Sequence, residues 1–155
     1  MATFSPLPTY LIGTLCLTLG VNGLFRPEAE YPRFGLPLEP PPALTTTTTT
    51  RSGTSNRSTS LSGPPSPTAT STGTVSPLIY LKSIREITYG LALLALQYQG
   101  EERAITTLAA VISLAGLGDG FVVWAFGGER RGTALNHWGT FVGLLGWAAW
   151  RGGFV

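Results

Sequence analysis

Four apolar segments, residues 7–25, 78–99, 104–126 and 134–150, dominate this chain, and only the short polar turns QGEER and GGERRG separate the last three. Each approaches the ~20 residues that an α-helix needs to cross a hydrocarbon core about 30 Å thick, at about 1.5 Å per residue. Inside a bilayer the backbone finds no water, so segments of this length must satisfy their own hydrogen bonds as helices. Turns of a few residues join antiparallel neighbours. The pattern predicts an all-α fold, a four-helix transmembrane bundle running up-down-up-down.

Charge content agrees. Asp, Glu, Lys and Arg make up 12% of the chain, against roughly a quarter in soluble domains. Mean hydropathy is only +0.23 because a Thr/Ser/Pro-rich tract, residues 39–77 with six threonines at 45–50, lowers it. That tract has little apolar surface to offset its ordering entropy and is expected to be disordered. Three parts follow: residues 1–38 with the first membrane helix and a juxtamembrane segment, the 39–77 insertion, and residues 78–155 with helices two to four. A cleaved signal peptide is the rival reading of residues 7–25, but the stretch lacks a basic n-region and an A-x-A-like site. In residues 26–35 (RPEAEYPRFG) the prolines fix φ and remove donors, so the chain is expected to leave the membrane after Phe25.

Several function classes are excluded. A net charge of +2, scattered along the chain, gives no clustered basic surface for nucleic acid. With the single cysteine Cys16 and the single histidine His137, neither an internal disulfide nor a Cys/His zinc site can form. No Gly-rich phosphate loop or nucleophile elbow is present, and no metal or cofactor is expected. Membrane lipid is the expected partner. Gly13, Gly20, Gly116-x-x-x-Gly120 and Gly139-x-x-x-Gly143 offer small-residue faces for close helix packing and for a homo-oligomer. Trp124, Trp138, Trp147 and Trp150 lie near segment ends and read as interfacial anchors. Arg26, Arg33, Arg130 and Arg131 against Arg103 and Arg151 orient the chain with both termini non-cytosolic, in the endoplasmic reticulum or another endomembrane.

Polar residues inside membrane helices are costly and call for pairing, water or function. Antiparallel threading carries Asn22, Arg85, Glu86, Asp119 and His137 to one leaflet. Glu86 lies about 12 Å past the start of its segment and Asp119 about 10 Å before the end of its own, while Asn22 and His137 sit about 5 Å deep. Thr14, Thr18 and Asn22, like Lys82 and Glu86, follow i, i+4 spacing and form stripes able to face inward. Two readings stand side by side. In one, Arg85 pairs with Asp119 or Glu86, and Asn22 and His137 bond backbone carbonyls, as a structural clasp. In the other, Glu86 and Asp119 act as acid and base in a small-molecule site. His137 then relays protons, and Arg85, with Asn22 and Tyr89, binds substrate.

Taken in order, Gly20-Val-Asn-Gly-Leu-Phe-Arg-Pro, Ile84-Arg-Glu-Ile-Thr-Tyr-Gly-Leu, Gly118-Asp-Gly and Asn136-His-Trp-Gly give the chain a resemblance to a family. It resembles the small integral membrane proteins, well represented in filamentous fungi, catalogued as domain of unknown function 4267. The resemblance covers residues 7–38 and 78–150. It implies a four-helix membrane protein without an agreed activity, some members of which look like parts of secondary-metabolite gene clusters. The family's Arg-acid-x-x-x-Gly pattern falls on Arg85, Glu86 and Gly90, with Glu86 where Asp is expected; its Asp-Gly pair falls on Asp119 and Gly120, and its His-Trp pair on His137 and Trp138. The family's first loop is usually short, whereas here it carries the Thr/Ser/Pro tract. The expected activities are therefore a cofactor-free isomerase, cyclase or hydrolase for a lipophilic metabolite, or a non-catalytic membrane accessory or scaffold.

Overall fold

A computed structural model describes residues 4–39 and 74–153, so all but the ends of the tract expected to be disordered lie outside the described residues. Those described are all-helical apart from one isolated bridge, in which the Thr74 amide donates to the Glu39 carbonyl at 2.8 Å. Glu39 and Thr74, which flank the tract, are thus held side by side.

Helix α1 spans Leu7–Phe25, with a proline in its first turn, where the amide has no acceptor to lose. It ends because Arg26 precedes a proline and turns to φ −133°, ψ 61°. In residues 26–35, where the chain is expected to leave the membrane, a second helix forms, α2 (Pro27–Phe34). Pro27 opens it at a position that needs no donor, Glu28 and Glu30 sit at its positive end, and Arg33 lies in its last turn. It stops at Gly35, whose φ of +99° few residues other than glycine adopt.

Helix α3 (Pro77–Gln99) starts from Ser76, whose hydroxyl accepts from the Leu78 amide, with Pro77 in its first turn. Gly100 and Glu101 close it, their amides returning to the Gln97 and Leu96 carbonyls in a Schellman arrangement. Helix α4 (Glu102–Phe126) follows, then a 3₁₀ turn (Gly128–Thr133) and α5 (Ala134–Gly152).

The helices pack as two antiparallel pairs, α1 along α3 and α4 along α5, and the pairs touch one another more sparingly. Close approach explains the first pair. A Cβ at Gly90 would lie 2.6 Å from the Gly13 carbonyl oxygen, and one at Gly20 would lie 2.6 Å from that of Ser83. In the second pair Gly116 lies against the backbone of His137 and Phe141, and Gly120 lies against the Trp138 ring. Gly139 and Gly143, expected to serve the same packing, have nothing within 4 Å of where a Cβ would lie and sit on the outer face. The Thr14/Thr18 stripe also points outward. Both residues are exposed, and the Thr18 hydroxyl satisfies itself on the Thr14 carbonyl at 2.8 Å, as a threonine facing an apolar medium can. Trp124 and Trp150 expose their rings, as anchors would, whereas Trp138 and Trp147 pack inward.

Two helices, α1 and α4, are long and apolar enough to cross a membrane. Helix α3 carries Lys82, Arg85 and Glu86, and α5 carries Asn136, His137 and Arg151, which lower their hydropathy. Yet the outward surfaces of all four long helices are apolar: Leu11 and Leu15, Leu81 and Leu91, Val111 and Leu114, Val142 and Leu145 are exposed. Small buried clusters lie toward either end, one around Phe34, Val123 and Ala134, the other around Leu93, Ile105 and Ile112.

Candidate functional site

Between those two clusters lies a cavity of about 360 Å³, lined by residues of α1 to α5. Lys82, Arg85, Glu86 and Tyr89 reach it from the first half of α3, because i, i+3, i+4 and i+7 share one helical face. Asp119 enters from α4 and Asn136 and His137 from α5, while Cys16 contributes from α1. The arrangement brings together Arg85, Glu86, Tyr89, Asp119 and His137. It does not bring Asn22, which stays half-buried on α1 outside the lining, its carbonyl accepting from the Arg26 amide at 2.8 Å.

The charged groups form two linked sets. Arg85 Nη2 donates to Asp119 Oδ2 at 2.6 Å, joining α3 to α4. Lys82 Nζ donates to Glu86 Oε1 at 2.6 Å and lies 3.5 Å from Glu30 Oε2; Glu30, 1% exposed, also pairs with Arg33. Three acids thus face three bases, which is how charge persists away from water. Within these two sets, two buried polar atoms have no protein partner: Arg85 Nε, a donor, and Glu86 Oε2, an acceptor. Leaving such atoms unpaired costs about 1–3 kcal/mol each.

His137 anchors α5 to α2. Its Nε2 lies 2.9 Å from the Phe34 carbonyl oxygen, which can only accept, so Nε2 carries the hydrogen and the neutral ring keeps Nδ1 as acceptor. The ring also meets the Phe34 ring edge-on, with centroids 4.9 Å apart. Any proton relay through His137 has Nδ1 to work with.

Glu30, Arg33 and Phe34 of α2 join the site without having been expected from the sequence. Their signal is present in the Pro-opened, Gly-closed eight-residue span with acids early and Arg33 late, but the prolines, read as helix breakers, hide it. Among the described residues no three His, Cys, Asp or Glu side chains gather so as to hold a metal ion.

A family model matches residues 13–151, from the first close-packing glycine of α1 to the penultimate residue of α5. The chain belongs to the family described as domain of unknown function 4267 (DUF4267). No curated protein matches it, and no solved structure does. The DUF4267 match takes in every charged residue of the cavity, and the family description carries no activity.

Proposed function

We propose that this DUF4267 protein is a multi-pass membrane protein in which α1, α3, α4 and α5 all cross the bilayer, and that its polar cavity carries out proton transfer on a small lipophilic metabolite of secondary metabolism. The four-span reading is supported by the apolar outward faces of all four helices around an inward charged layer, the reverse of a soluble bundle. An endomembrane location with non-cytosolic termini is consistent with Arg26, Arg33, Arg130 and Arg131 lying on one side.

The observation that carries the catalytic reading is Glu86: one carboxylate oxygen is held by Lys82, and the other is without a partner in a residue lining the cavity. In this mechanism Glu86 Oε2 takes a proton from a carbon beside a polarised C=O of the substrate. The electron pair moves onto the oxygen, which accepts a hydrogen bond from Arg85 Nε. Where a C=C adjoins that carbon, the C=O re-forms and the proton returns to the far end of the C=C, giving a double-bond isomer; where a second C=O is within reach, the enolate carbon bonds to its carbon and the displaced π pair on its oxygen takes the proton back from Glu86, giving a cyclised product. Asp119 holds the Arg85 guanidinium in place. His137 Nδ1 and the Tyr89 hydroxyl are the remaining polar groups for relay and orientation.

Comparative metabolite profiling of a host with the wild-type gene, without it, and with Glu86→Gln expressed at wild-type level tests this. Loss of a product with build-up of its precursor in both altered strains is the expected outcome. An unchanged profile, with the gene expressed, overturns catalysis.

A second reading has its own observation. Arg85–Asp119 is an ion pair between two helix pairs that otherwise touch sparingly, which suits a non-catalytic accessory or scaffold protein whose polar layer is a clasp. It expects loss of protein from the membrane, not loss of a product, when Asp119 or Glu86 is neutralised.

A further inference from the structure

A second, larger cavity of about 750 Å³ lies beside the first, and the two share Phe34, Lys82, Arg85 and Asp119 in their walls. The shared residues make the Arg85–Asp119 pair a partition between two chambers. Apart from those charges and the exposed Glu39 the larger chamber is mostly apolar, with Ile79 buried in its wall. Its rim is formed by Leu78 and Leu81 of α3 and Val122 and Phe126 of α4, which are 68%, 61%, 44% and 71% exposed. The mouth therefore opens sideways between α3 and α4, two helices that pack sparingly, onto the apolar outer surface.

Charge at the partition is balanced. Lys82 and Arg33 are matched by Glu86 and Glu30, and Arg85 by Asp119, so no cation is left over to compensate an anionic head. What remains is a hydrogen-bond donor, the buried and unpartnered Nε of Arg85. A carbonyl oxygen satisfies it without adding charge, whereas a carboxylate would bring an uncompensated charge into an apolar chamber.

We infer that the two cavities form one site for an uncharged, long-chain carbonyl compound entering from lipid between α3 and α4, with its C=O on Arg85 at the partition, its reacting end in the smaller chamber and its apolar chain in the larger. This rests on the proton-transfer reading for what happens in the smaller chamber, but not for binding. The volumes fit those of small-molecule sites, about 300–1,000 Å³. Val122 and Leu81 set the accepted chain length, because a larger side chain at either fills the chamber nearest the mouth.

Two fluorescent ketones, 6-propionyl- and 6-dodecanoyl-2-dimethylaminonaphthalene, test the inference by titration into the detergent-solubilised full chain, with emission excited in the probe's own band. The dodecanoyl probe should bind at least tenfold tighter than the propionyl one. Val122→Trp and Leu81→Trp should each reduce that preference at least tenfold, while Val111→Trp, on the outer face of α4, should leave it unchanged. Arg85→Lys, which keeps the cation for Asp119 but lacks the Nε donor, should weaken the dodecanoyl probe roughly tenfold and shift its bound emission to shorter wavelength. Dodecan-2-one should displace the probe more strongly than dodecanoate. Equal binding of both probes, or a preference indifferent to Val122 and Leu81, overturns the two-chamber site; stronger displacement by dodecanoate overturns the uncharged ligand. Tight, Val122-dependent binding alongside an unchanged metabolite profile defeats the proton-transfer reading alone. A Glu86-dependent profile without such binding defeats this inference alone.

Discussion

Arg85 of α3 and Asp119 of α4 meet at 2.6 Å, an ion pair that bridges the two antiparallel helix pairs and forms part of the wall of both cavities. The same two side chains thus hold the halves of the fold together and border the space where a ligand would lie. Structural and chemical roles have to be separated by choice of substitution.

Removing one member leaves a partly buried charge without its partner. Arg85→Met should lower stability by about 1–3 kcal/mol, between the values for exposed and fully buried pairs. Adding Asp119→Leu should recover most of that loss, because two apolar side chains of similar size leave nothing unpaired. Thermal unfolding of the wild type and the two variants in detergent measures it, and a double variant less stable than Arg85→Met refutes the account.

At the opposite end Arg151 is 1% exposed, paired with Glu102, bonded to the Thr106 hydroxyl at 3.1 Å and stacked over the Phe4 and Trp147 rings. Replacing it by Ala strands Glu102 and removes the guanidinium from two rings. A loss of about 3–5 kcal/mol is expected, with Arg151→Lys recovering only part because an ammonium lacks the planar fork. Denaturation midpoints of the purified protein provide the check.

Glycines should divide into two classes. Gly90→Ala drives a methyl into the backbone at Gly13 and Leu17 and should cost about 1–3 kcal/mol. Gly139→Ala and Gly143→Ala meet nothing within 4 Å and should be neutral or stabilising by about 0.5–1 kcal/mol. Equal effects at Gly90 and Gly143 in thermal unfolding would contradict the helix pairing.

The proposed four-span topology makes a labelling prediction. In a Cys16→Ala background, Glu101→Cys between α3 and α4 and Arg131→Cys between α4 and α5 should react with a membrane-impermeant maleimide from opposite faces of sealed vesicles. Both positions are exposed. Labelling of both from one face would show that α4 does not cross the bilayer.

The sequence by itself determined the four long helices and their order, because apolar runs of this length bounded by Ser76-Pro77, Gly100 and the Gly127-Gly128 turn have few other ways to satisfy a backbone. It also singled out the polar residues of α3, α4 and α5, since charges among apolar side chains stand out without any coordinates. Tertiary structure decided which of them meet. Lys82 takes Glu86 and leaves Arg85 to Asp119, a choice set by how α3 is rotated against α4 and invisible to spacing alone. It turned Thr14 and Thr18 outward and Gly13 and Gly20 inward, because backbone contact with α3 at Gly90 and Ser83 tolerates no side chain there. Most of all it folded residues 27–34 into a helix that delivers Glu30 and the Phe34 carbonyl to the cavity. Short-range rules about proline favour a break there, and only long-range partners, Lys82 and His137, show what that turn of helix does.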